Sequence, residues 1–195
     1  MEYKPNDLFV GVLDFFGILV PGAVLMFLHG SALLALLGKP DLPGDKVFSW
    51  IGFLVASLLL GHFLTAIGVL LLNRAFSWPI GDVDRYYKEV EARIPLPVPS
   101  NRKSAFHRAY SYIRLKSAPG ITEIDRQVAE YKLFRGLTVA FIIDFAFAVA
   151  AGDVRHVLVS AFVALFCWYR FASLVCWTQQ MTFEYFALLT KTDQS

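Results

Sequence analysis

Four long apolar stretches constrain this chain more than any other feature. They run from about Leu8 to Leu37, Phe48 to Leu72, Phe134 to Ala151 and Val154 to Trp177. About 20 apolar residues in helical form cross the hydrocarbon of a bilayer. In lipid a helix satisfies its own backbone groups, which an open strand does not. The sequence therefore predicts an all-α integral membrane protein with four transmembrane helices. Composition agrees. Of 195 residues, 56% are hydrophobic and 17% charged, against roughly 45–50% and 25% in soluble domains. Mean hydropathy is +0.53. Disorder, collagen, coiled coil and a disulfide scaffold are excluded. Cys167 and Cys176 share the last apolar stretch and read as small buried hydrophobes. The first apolar run is too long for a cleavable signal and follows Glu2, Lys4 and Asp7, so it reads as a retained helix.

Charge orients the bundle. Residues 74–135 hold 12 of the 18 Lys and Arg against seven acids. The other two turns, Gly38–Val47 and Gly152–Arg155, are balanced in sign. The positive-inside rule puts the basic segment in the cytoplasm, and an even number of spans puts both termini there too. The expected organisation is transmembrane helices over 1–73, a basic helical cytoplasmic insertion over 74–133, two more spans over 134–178, and a C-terminal helix and tail over 179–195.

The insertion has its own pattern. Asp82–Arg93 reads as a short charged helix, and the alternating prolines of Ile94–Pro99 favour polyproline II. Ser100 or Asn101 then caps a helix through about Lys116. Pro119-Gly120 is expected to break it, and Thr122 to cap a last helix, with Asp125 three residues on. That helix is expected to run unbroken into the third span. The helix over 100–116 interleaves Arg102, Lys103, Arg108, Arg114 and Lys116 with Phe106, His107, Tyr110 and Tyr112. Cations neutralise phosphates and aromatic faces stack on bases, which suits an anionic or nucleotide ligand. The same composition also suits packing beside anionic headgroups, since Phe106, Tyr110 and Ile113 form a helical stripe, or a partner protein. All three readings stand.

Charged residues inside spans are rare and are usually paired or functional. Asp14 in the first span and Arg170 in the fourth sit at similar depth and form one expected pair. His62 in the second and Asp144 in the third form another. Gly136, Ala140, Asp144, Ala148 and Gly152 recur every four residues, placing small residues on one helix face. An aspartate there points into an interface or a watered path. Ser57, Gly61 and Thr65 repeat the pattern in the second span. Pro21 predicts a kink in the first. The aromatics Phe183, Tyr185 and Phe186 suggest that the extension of the fourth span packs on the insertion. His29 and His156 fall near the opposite membrane surface, and two histidines are not by themselves a site.

No phosphate-binding loop, nucleophile elbow or zinc-protease motif is present, so neither catalysis nor a metal or cofactor is expected. Two segments, Leu13-Asp-Phe-Phe-Gly-Ile-Leu-Val-Pro-Gly22 and Glu123-Ile-Asp-Arg-Gln-Val-Ala-Glu-Tyr-Lys-Leu-Phe-Arg135, resemble the transmembrane effectors of Hailong-type antiphage defence systems. The resemblance implies a tetrameric channel held inactive by a DNA-oligomer signal that a partner nucleotidyltransferase makes. Four spans enclose no wide pore alone, so a channel requires several copies. The leading expectation is thus a ligand-regulated, homo-oligomeric channel effector that depolarises the membrane. The alternatives are a non-catalytic scaffold that anchors a cytoplasmic protein and a proton-coupled transporter using His62 and Asp144.

Overall fold

The computed structural model describes residues 5–36, 46–75 and 102–192. They form five helices: α1 (Pro5–Leu36), α2 (Lys46–Ala75), α3 (Arg102–Lys116), α4 (Ala118–Ala151) and α5 (Val154–Thr192). No strand occurs among the described residues. Four helices are long and apolar enough to cross a membrane, over Gly11–Leu33, Ser49–Leu72, Pro119–Ala151 and Val154–Lys191. The charged helix expected at 82–93 and the proline run at 94–99 lie outside the described residues.

Local sequence explains where the helices start and stop. Ser117, not Thr122, caps α4: its Oγ accepts from the backbone N–H of Gly120 at 3.3 Å. Pro119-Gly120 therefore opens α4 and does not separate two elements. Proline is suited to a first helical turn, where its missing donor would have had no partner. From there α4 runs 34 residues without a break, as expected. It ends at Gly152, whose φ of 72° lies in the left-handed region that glycine adopts without a Cβ penalty. Asp153 then caps α5, its Oδ1 accepting from the N–H groups of Arg155 and His156. The result is a tight α4–α5 hairpin.

The proline kink is corrected. Pro21 stays inside α1, and the backbone leaves helical geometry at His29 instead (φ −131°, ψ 16°). Pro21 is buried against α4, where a Cβ on Gly136 would lie 2.7 Å from its Cγ. Packing there offsets the missing hydrogen bond.

Helix α4 is central: it packs on α1, α2, α3 and α5. Its closest neighbours are admitted by small residues. Between α1 and α2 the approach is backbone on backbone. A Cβ on Gly22 would lie 1.8 Å from the Ser57 carbonyl oxygen, and one on Gly61 would lie 2.0 Å from that of Ile18. Only glycine fits either place. Leu25, Leu64, Leu72, Val139, Ala140 and Phe171 fill the core between the spans. A second cluster docks α3 onto the end of α5: Ala105, Ala109 and Phe183 are buried, with Phe106 and Phe186 against them. The outward faces of the spans are apolar, with Phe27, Trp50, Phe63, Leu70 and Phe162 all exposed.

Candidate functional site

The hairpin brings polar residues together near its turn. Asp144 and Ser160 each lie eight residues from Gly152, one on either side, so an antiparallel pair of helices places them face to face. The Ser160 hydroxyl donates to Asp144 Oδ2 at 2.5 Å. His156, one turn nearer the hairpin end, directs its Nε2 at both carboxylate oxygens, 3.0 Å from each. The helical break in α1 delivers the third partner: His29 Nε2 is 2.7 Å from Asp144 Oδ1. Its ring stacks on Phe147 at a centroid separation of 4.4 Å, which fixes the imidazole plane. Three helices thus converge on one carboxylate.

Burial grades this cluster. The Asp144 side chain is 2% exposed, that of His29 13% and that of His156 41%. A cleft of about 400 Å³ reaches the cluster, lined by Asp144, Asp153, Arg155, His156 and Ser160 with Leu28, Phe141 and Val159. At about 1.5 Å per residue, eight residues place Asp144 about 12 Å inside the hairpin end. The connectivity is not that of a nucleophilic triad. There an imidazole stands between hydroxyl and carboxylate, whereas here the hydroxyl meets the carboxylate directly. Among the described residues no group of three His, Cys, Asp or Glu is arranged to hold a metal ion.

Both expected intramembrane pairs are replaced. Asp144 meets His29 and His156, while His62 lies exposed on α2. Asp144 does point into an interface, as expected: α1, α4 and α5 enclose it, and the cleft reaches it. Asp14 pairs with Lys132 of α4 at 2.7 Å, and Arg170 is exposed on α5. The cause is helix neighbourhood. Gly17 packs on Ala129 and Leu133, and Asp14, one turn before Gly17, is carried to Lys132. Sequence reasoning also missed Arg135. It is 7% exposed, its stem lies along Gly68 of α2, and its Nε has no hydrogen-bond partner.

The second candidate surface is α3. The expected base-stacking tyrosines are engaged within the fold. Tyr110 donates to Asp125 Oδ1 at 2.5 Å and stacks on Phe106, and Tyr112 sets its ring edge-on to Phe186. Burial, followed by the bond to Asp125, raises the Tyr110 pKa, so the phenol is a neutral donor. The outward face carries His107, Arg108, Ser111, Arg114, Leu115 and Lys116, all exposed. Arg102 and Lys103 belong to the first turn of α3, and their side chains lie outside the described ones. Compared with known proteins, the chain matches no family model, no curated protein and no solved structure.

Proposed function

We propose that this chain is an oligomeric channel-forming effector of a bacterial inner membrane, regulated by an anionic nucleotide or DNA oligomer at its cytoplasmic helical end. The observation that carries the reading is the unbroken α4. One rigid helix of 34 residues joins the platform on which α3 sits to the buried cluster at the other end. Movement imposed at one end of such a helix must shift or tilt the other.

Several features support the parts of this reading. The lysine and arginine excess in residues 74–135 orients that segment, and both termini, toward the cytoplasm. Arg108 and Arg114 project from α3 while Tyr110 and Tyr112 hold it in place. The ligand therefore meets cations first, with Lys116 and the first-turn Arg102 and Lys103 on the same helix. The wide apolar faces of α1, α2 and α5 leave room for other copies, and in an assembly such faces surround a pore. Asp144 then braces the helices of each protomer and does not line the pore. In a Hailong-type arrangement the assembly is a tetramer and a nucleotidyltransferase supplies the signal.

The test is conductance. Purified protein in a planar bilayer is expected to pass current that a DNA oligomer modulates, and Arg108→Glu with Arg114→Glu is expected to abolish the modulation but not the current. Silence of the bilayer under every nucleotide condition contradicts the proposal. One observation favours a second reading, the scaffold. Leu115 is 86% exposed beside Arg114, a combination that suits a protein partner. Stoichiometric co-purification of a protein, lost in Leu115→Ser, would establish that reading instead.

A further inference from the structure

We propose that His29, Asp144, Ser160 and His156 form a proton-binding site, open to the membrane face on which the α4–α5 turn lies, that holds one exchangeable proton. The argument starts from a count of donors. The Ser160 hydroxyl stands 2.5 Å from Asp144 Oδ2 and 2.9 Å from the backbone carbonyl oxygen of His156. A hydroxyl has one proton and can serve only one of two acceptors in full. A proton on Oδ2 completes the chain, because the carboxyl group then donates to Oγ and Oγ donates to the carbonyl. His29 Nε2 stands 2.7 Å from the other oxygen, and His156 Nε2 stands 3.0 Å from both, each positioned to donate.

Charge leads to the same number. An ionised Asp144 with two neutral imidazoles carries one negative charge at membrane depth, where unbalanced charge is costly. One added proton balances it. Its seats are the two imidazoles and Oδ2, all in contact. The groups facing Asp144 are His29 from α1 and Ser160 and His156 from α5. Asp153 and Arg155 line the rest of the cleft with opposite charges and do not supply that balance.

The cleft sets the access. Asp144, Ser160 and His156 all line it, and His156 is the more exposed imidazole and His29 the more enclosed. Toward the other membrane face, the next positions on the same side of α4 are Ala140 and Gly136. Both are small and buried, and Gly136 lies against Pro21. Along this face of α4 the site has no ionisable neighbour on that side among the described residues.

The test is a titration of the full-length protein in lipid nanodiscs, with histidine side chains labelled with nitrogen-15 and read by NMR from pH 5 to 8. The protonation of His29 and that of His156 are expected to be coupled, each imidazole's signal responding to the state of the other. The exposed His62 and His107 serve as independent references. In Asp144→Asn the coupling is expected to vanish. In His156→Gln, which keeps the carboxylate, the His29 midpoint is expected to move. The proposal is overturned if His29 and His156 titrate independently with unchanged curves in both variants, or if neither changes protonation across the range. The readout is protonation and not current, so it stands or falls apart from the channel reading.

Discussion

The two ends of α4 are held by different chemistry. At the hairpin end, three helices meet on a single carboxylate, and four polar side chains cluster in a place that a cleft reaches. At the other end, α3 is fastened by aromatic packing around Phe183 and one hydrogen bond from Tyr110 to Asp125, and its cations face outward. The first arrangement fixes geometry: all its side chains converge on one carboxylate, and the break at His29 lies where one of them is delivered. The second fixes position and leaves Arg108 and Arg114 on the outward face. A helix rigid through its length and anchored by a polar lock at one end and an apolar clamp at the other can transmit displacement without losing its fold.

The comparison can be broken one end at a time. The largest effect is expected from Phe183→Ala, which empties the clamp at a fully buried position. Loss of a buried aromatic costs about 4 kcal/mol. Denaturation in detergent should show that loss, while the imidazole signals of His29 and His156 stay where they were. Next comes Asp144→Ala. It strands two imidazoles and a hydroxyl, and breaking a buried charged network in this way costs about 3 kcal/mol. Here the hairpin end should loosen, seen as faster hydrogen exchange around residues 140–160, with α3 protected as before.

Gly61→Val tests the spans between the two ends. A side chain there meets the Ile18 backbone, and forcing α1 from α2 is expected to cost about 2 kcal/mol, read as a lower melting temperature in the same detergent. Tyr110→Phe should cost about 1.5 kcal/mol, the worth of a hydrogen bond to a charged group. Because the folded-state pKa of this phenol is raised, its contribution is complete below the ordinary tyrosine range and is lost only at more alkaline pH. The difference between wild type and Tyr110→Phe should therefore stay constant through neutral pH. The smallest stability effect belongs to Arg108→Glu with Arg114→Glu, within about 0.5 kcal/mol, despite their predicted effect on ligand response. A large loss of stability in that double variant would mean the cations belong to the clamp.

Much of the scaffold was legible, and the reason is the bilayer. Hydropathy locates spans because a membrane leaves the backbone few alternatives, so the four long helices and the unbroken entry of α4 into its span could be read from residues 118–151 directly. Asp144 stood out for the same reason, as an acid among small residues in an apolar run. Its partners did not. Depth alone allowed His62, but which faces meet depends on helix neighbours. The choice of α1 and α5 over α2 is made by close contacts such as Gly136 on Pro21. One signal could have found half the site. Asp144 and Ser160 are equidistant from Gly152, a glycine placed to end a helix, and His156 lies one turn from Ser160. His29 carried no such signal, because its position depends on a backbone break eight residues beyond the proline that seemed to mark it. The stripe of Phe106, Tyr110 and Ile113 was legible from helical spacing, and it does face the protein. The engagement of Tyr112 with Phe186 was not, because composition alone does not say which side of a short helix a ring joins.

Native mass spectrometry of the protein, extracted in detergent from the cells that natively make it, tests the central claim most directly. A regulated oligomeric effector predicts a multimer with extra mass that nuclease removes and that Arg108→Glu with Arg114→Glu fails to retain. A bare monomer, or a single copy bound to one protein, would contradict it.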